Sequence, residues 1–384
     1  MKKVFALVLA AMMVMAMFAG CGNAADSADP AVIKIGTSGP LTGPAAAYGT
    51  AVEAGMKIAV EEINAKGGLQ FAFQAQDDQG DGEMAVAGYN TLKDWGMDIF
   101  GGSVTSGAAA AVAAEAVVDQ IFVLTPSASD PSVAAAGSNV FQMCFTDPNQ
   151  GASAAELIQA QWADAVVGVI YDSSDPYSKG IYDGFTAKAT ELGLNVQVVT
   201  SFTKDSNTDL STQVTQCKDA GCTLVFLPIY YTEASRILNS ANDMQYDPVF
   251  FGCDGMDGIL SIEGFDPALA EGLVLMTPFD ANATDEATVS FVNKYKEQNN
   301  GQIPNQFAAD GYDVVYAIYE ALTAAGLDGT ASSQDICTAL VKWFNETEGF
   351  DGLTGQGMTW DEGGMISKMP AAKVIENGVY VPLA

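Results

Sequence analysis

The chain has 384 residues, 49% of them hydrophobic, with 39 glycines and 14 prolines, which is enough for two domains that each bury a core. Its formal net charge is −31, so phosphate backbones would repel it and nucleic acid is excluded as a partner. It contains no histidine, which excludes Ser-His-Asp and Cys-His nucleophile systems and histidine metal sites.

The first predicted element is a leader rather than part of the fold. MKK supplies a positive start, and VFALVLAAMMVMAMF (4–18) is an apolar run shorter than the ~20 residues a membrane span needs. FAGC follows at 18–21 and resembles a bacterial lipobox, with phenylalanine where leucine is usual. This predicts a lipoprotein signal peptide over 1–20, lipidation at Cys21 and a flexible tether over 21–30, GNAADSADP being small, polar and ended by proline. No later segment is long and apolar enough for a transmembrane helix.

From residue 32 the pattern alternates between strand and helix. VIKIGTS (32–38) reads as a strand, and Val52, Met56, Ala59, Val60 and Ile63 then share one face of a helix over 49–65. Strand 71–77, helix 82–95, strand 98–103, helix 107–119 and the strand IFVLTP from 121 complete a first set. DPNQG (147–151) interrupts the rhythm. A second set then runs through helix 152–163, strand 166–172, helix 179–193, strand 195–202, helix 209–219, strand 223–229, helix 232–243 and strand 248–252. Strand 272–279 precedes three helices, near 285–299, 306–325 and 333–346. The tail reads as a hairpin, KVIE and VYVP about Asn377-Gly378, which suits a type I′ turn. Two such series predict two α/β lobes, each a doubly wound parallel sheet. Five cysteines follow Cys21, an odd count that cannot pair completely, and Cys217 and Cys222 lack a zinc or thioredoxin spacing. Buried free thiols are the reading adopted, with a Cys217–Cys222 disulfide left open.

Ligands of open parallel sheets sit beyond the carboxyl ends of the strands. Two serine-rich turns, SVTSG around Ser106 and TPSAS around Ser127 and Ser129, occupy that position on neighbouring strands. Each alone reads as a helix cap. Together they read equally as a cradle for one carboxylate, built from hydroxyls and first-turn amides without Lys or Arg.

Residues 33–68, IKIGTSGPLTGPAAAYGTAVEAGMKIAVEEINAKGG, resemble the start of the leucine/isoleucine/valine-binding protein family, the type I extracytoplasmic solute-binding proteins of ABC importers. The likeness continues in order through DDQGD, GSVTSG, VLTPSAS, CFTDPNQG, YDSSDPYSKG, YYTEA, FFGCDG and DGLTGQGMTWDEGG. It implies the type I periplasmic-binding-protein fold, two lobes joined by three crossovers, here near 146–149, 276–280 and 352–357. Lobe 1 would hold 31–147 plus 278–353, and lobe 2 would hold 148–277 plus 354–384.

The resemblance also implies a role for each matching residue. Ser106 would take the α-carboxylate of an amino acid, and Ser127, Ala128 and Ser129 its carboxylate and amine. Tyr48 would lie beside the ligand, Tyr177 and Tyr230 would close over it, and Asp254 would pair with its ammonium, where the best-known members carry glutamate. A family disulfide is absent, since Gly80 and Thr105 occupy its places, and Gln142 stands where arginine is frequent. The implied protein is a monomeric lipoprotein on the outer face of the cytoplasmic membrane. It captures an amino acid, branched-chain by default, for the permease subunits of an importer, with no cofactor, no metal and no enzymatic activity. A sensor of the same fold, or a binder of an amide or organic acid without an amine, is the alternative.

Overall fold

The computed structural model describes residues 31–383, so the leader, Cys21 and the tether all lie outside the described residues. Strands β1 (Val32–Gly39), β2 (Gln70–Asp77), β3 (Ile99–Phe100), β4 (Phe122–Thr125) and β5 (Val140–Gln142) form an all-parallel sheet in the order β2-β1-β3-β4-β5. Ile33, Ile35, Ile99, Phe122 and Leu124 are fully buried along it, as expected for strands covered on both faces. Helices α1 (Ala46–Lys66), α2 (Gly82–Trp95) and α3 (Ser106–Asp119) connect its strands, and a single turn, α4 (Pro131–Ala134), precedes β5.

Helix α5 (Asp147–Gln161) leads into a second sheet made of β6 (Val167–Asp172), β7 (Val196–Phe202), β8 (Leu224–Leu227), β9 (Val249–Gly252), β10 (Val274–Met276), β11 (Ala372–Glu376) and β12 (Val379–Pro382). The order is β12-β11-β10-β9-β8-β6-β7. Its first five strands in the chain are parallel, connected by α6 (Pro176–Leu192), α7 (Ser211–Asp219) and α8 (Tyr231–Asp243) up to β9. The tail hairpin adds antiparallel to β10, so this sheet is mixed rather than wholly parallel. Asn377 and Gly378 both take positive φ, 54° and 73°, as a type I′ turn requires.

After β10 the chain returns to the first sheet as α9 (Glu286–Gln298), α10 (Gln306–Ala325) and α11 (Ser333–Glu346). Phe344 of α11 packs on Phe122 and Phe141 with ring centroids 5.1 and 5.2 Å away. The final passage back comes later than 352–357. Gln142 of β5 still donates to the Gly364 carbonyl, and the Trp360 indole donates to the Gln142 carbonyl at 2.8 Å. Buried Lys368 then binds Asp310 of α10 at 3.0 Å, and the second sheet is reached at Ala371, whose carbonyl accepts from the Thr277 amide.

Two short elements, α4 and β5, have no counterpart in the sequence pattern. Helix α5 begins at Asp147 instead of after DPNQG, because a proline in the first helical turn loses no hydrogen bond. All five cysteines among the described residues are buried with free thiols. None of the described helices is long and apolar enough to cross a membrane.

Candidate functional site

The carboxyl ends of β3 and β4 are stitched together before any ligand is considered. The Thr125 hydroxyl donates to the Ser103 carbonyl at 2.6 Å, and the Ser127 hydroxyl to the Val104 carbonyl at 2.8 Å. Ser106 is the first residue of α3, and Thr105 sits at the cap position with a buried hydroxyl that has no partner. The Ser106 oxygen accepts from the amides of Ser129 and Asp130 at 3.2 and 3.3 Å, which leaves its hydroxyl hydrogen for something else. With the free amides and positive dipole end of α3 behind it, this edge suits a single carboxylate.

The second sheet contributes the opposite charge. Asp175 caps α6 through the Ser178 amide, and Pro176 fixes the first helical position, which sets Tyr177 at the helix start. The Tyr177 hydroxyl donates to Asp254 Oδ1 at 2.6 Å and accepts from the Gly255 amide at 2.9 Å. Glycine is required at 255, since a Cβ there would come 2.7 Å from that hydroxyl. Asp254 begins the turn after β9 and is only 4% exposed. Burial pushes its carboxyl up to about 6, against the hydrogen bond from Tyr177 that pulls it down.

A ring of aromatic side chains closes the space between. Tyr230, at the cap of α8, stacks on Tyr177 at 4.8 Å, and Tyr48 lies 5.5 Å from Tyr230 and 4.4 Å from Phe307. The Tyr48 hydroxyl reaches across to the Gly255 carbonyl at 2.5 Å. About 240 Å³ of space, part of it continuous with solvent, is lined by these four rings, by Val104, Thr105, Ser106 and Ser127, and by Asp254 and Gly255. Asp254 is the one charged side chain of that lining, and no Lys or Arg joins it.

Six of the eight residues named from the sequence therefore meet at one cavity: Tyr48, Ser106, Ser127, Tyr177, Tyr230 and Asp254. Ala128 is packed in the core, where its amide donates to Thr125 and its carbonyl accepts from Gln142. Ser129 is fully buried and does not line the cavity, although its amide donates to Ser106. Val104, Thr105, Gly255 and Phe307 line the cavity without having been singled out. The first three lie within two positions of named residues in the chain. Phe307 comes from the start of α10, and no local motif marks it.

A model of the periplasmic binding protein family matches residues 32–378. The "Leu/Ile/Val-binding protein homolog 3" of Brucella melitensis is 29% identical over 348 residues, covering 89% of this chain and 90% of its own. The leucine-, isoleucine-, valine-, threonine- and alanine-binding protein of Pseudomonas aeruginosa is 28% identical, covering 83% and 84%. The branched-chain amino acid transporter substrate-binding protein LivJ of Streptococcus pneumoniae, solved with isoleucine, superposes with a TM-score of 0.81 at 27% identity, covering 91% of this chain and 97% of that one.

Proposed function

The chain belongs to the periplasmic binding protein family, and on that premise we propose that it captures an α-amino acid between its lobes and hands it to an ABC importer. It is a binding protein and not an enzyme. The observation that carries the reading is the unbalanced charge of the cavity: a buried carboxylate, Asp254, faces a serine-rich helix start across a space with no cationic side chain. A zwitterion neutralises this arrangement at both ends. Its ammonium pairs with Asp254 and Tyr177, and its carboxylate takes the Ser106 hydroxyl and the amides of α3. The rings of Tyr48, Tyr230 and Phe307 with Val104 leave an apolar wall for the ligand's side chain, which favours the aliphatic branched-chain amino acids that the relatives are named for.

Calorimetric titration with the twenty amino acids, their N-acetyl derivatives and benzoate tests this. Leucine, isoleucine or valine should bind, and the acetylated forms should not. Tight binding of an N-acetyl amino acid or of benzoate would refute the ammonium-pairing role of Asp254. The lipid anchor at Cys21 belongs to the same proposal. A Cys21→Ser protein should leave the membrane fraction, and one that remains there would refute the anchor.

A further inference from the structure

The turn after β9 presents Asp254 to the cavity and, with its other groups, meets the first lobe directly. Gln306 is the first residue of α10, so its amide has no partner inside the helix. That amide donates to Asp257 Oδ2 at 2.9 Å, and the Gln306 side chain donates from Nε2 to the Asp254 carbonyl at 3.0 Å. The Tyr48 hydroxyl donates to the Gly255 carbonyl between them. Asp254, Gly255 and Asp257 thus each accept a hydrogen bond from the first lobe. Two of these bonds use backbone carbonyls, which any sequence offers, and the third uses a side chain. Asp257 and Gln306 are each 2% exposed, and neither lines the cavity.

An aspartate in a turn ordinarily serves its own loop. Asp266, Asp280 and Asp328 do so here, each accepting from the amide two residues on, at 3.0, 3.0 and 2.9 Å. Asp257 does not. The turn is closed by its backbone amide, which donates to the Asp254 carbonyl at 2.9 Å. Its Oδ1 has no hydrogen-bond partner among the described residues, and its Oδ2 reaches across to the other lobe. There it stands at the positive end of a helix of 20 residues, a favourable place for a carboxylate. Helix α10 does not need this acid in order to form, because Asn305 already caps it through the Ala308 amide. The bond therefore serves neither the turn nor the helix alone. It joins the two.

We propose that Asp257 is the closure latch of the ligand site: a positioning residue of the second lobe that caps α10 of the first lobe when the lobes shut. Closure by this bond sets two walls of the cavity against each other, since Asp254 lies three residues before Asp257 and Phe307 directly follows Gln306. This rests on the amino-acid reading above for its choice of ligand. Asp257 touches no part of the cavity, so it changes the closed population and not the fit of any ligand. Its loss weakens every ligand by one common factor, leaves the order of preference unchanged and shows in faster dissociation.

The test uses the full chain with leucine, isoleucine and valine as probes. Asp257→Ala leaves the Gln306 amide buried without an acceptor on closure, so affinity should fall at least about fivefold, by the same factor for all three. Two changes at Gln306 identify the bond. Gln306→Ala keeps the amide N–H. Gln306→Pro removes it while preserving the helix start, because proline suits the first helical position and Asn305 is already extended at φ −89° and ψ 179°. Asp257→Ala should weaken leucine binding in the Gln306→Ala protein and change it less than about twofold in the Gln306→Pro protein. Equal losses in both, no loss in either, or losses that differ tenfold among the three amino acids overturn the latch. A measurement without ligand separates the latch from the amino-acid reading. The Thr232 hydroxyl donates to the Pro44 carbonyl across the lobes at 2.6 Å, so Pro44→Cys and Thr232→Cys together report closure by cross-linking under oxidised glutathione. Adding Asp257→Ala to this unliganded protein should slow the cross-link by the factor expected for affinity, at least about fivefold. A slower cross-link supports the latch even if no amino acid binds, and an unchanged rate overturns it even if all three do.

Discussion

On the proposed reading, Asp254 and Tyr177 would concentrate the energetics of the site in two side chains. An ammonium enclosed with Asp254 forms a desolvated pair, and removing one partner strands the other, a loss of ~2–5 kcal/mol or roughly thirtyfold and more in affinity. Asp254→Asn keeps the shape and removes the charge, so calorimetry should show this loss with folding intact, and affinity within twofold of wild type would refute the pairing. The same residue sets a pH limb. Burial raises its carboxyl to about 6 before ligand arrives, and only the ionised form attracts the ammonium. Affinity should thus decline as pH falls below about 6, by up to tenfold per unit, and the Asp254→Asn protein should lack that limb. At this scale the chain was readable wherever a residue sits in a short turn with a recognisable pattern, as Tyr48, Ser106 and Tyr177 do. Phe307 was not, because it reaches the cavity only through the packing of α10 on α1. Ala128 follows the pattern of its turn, but its backbone groups are already spent on Thr125 and Gln142.

The packing of α10 on α1 depends on two glycines inside helices, where glycine ordinarily costs ~1 kcal/mol relative to alanine. A Cβ on Gly55 would fall 1.9 Å from the Ala308 carbonyl oxygen, and one on Gly311 would fall 2.6 Å from that of Val52. The obstacle is backbone, so it cannot swing aside as a side chain does. Gly55→Ala should therefore destabilise the fold by ~1–3 kcal/mol, overpacking outweighing the gain in helix propensity. A melting temperature equal to or above that of wild type would show that the helices can separate freely. Long elements were legible because their periodicity extends over several turns, and α10 and α11 were anticipated at their observed bounds. Helix α5 was placed late, since Pro148 reads as a breaker until its position in the first turn is known. The single-turn α4 and three-residue β5 are too short to carry a period at all. The strand partners of the tail hairpin are long-range, so its place on the edge of the second sheet was not legible in its own residues.

Across the whole molecule, the lobes touch through direct hydrogen bonds as well as across the cavity. Besides the Tyr48–Gly255 contact, the Thr232 hydroxyl donates to the Pro44 carbonyl at 2.6 Å, the Ala47 amide to the Tyr231 hydroxyl at 3.1 Å, and the Gln306 amide to Asp257 at 2.9 Å. A closed state held by such contacts and a bound zwitterion implies a more open one without ligand. Small-angle scattering should record a smaller radius of gyration once saturating amino acid is added, and an unchanged radius would refute ligand-driven closure. The alternation of strands made two lobes legible, whereas the late third passage depends on Trp360, Gly364 and Lys368 gripping the first lobe, which no periodicity reports. The interleaving of the chain has one more consequence. The first sheet is laid down by residue 142 but receives the last of its covering helices only from residues 286–346, and the second sheet receives its edge only when residues 372–382 arrive. If the chain is exported from its N-terminus, the first lobe can complete its core only once residue 346 is out, and the second only once the tail hairpin follows.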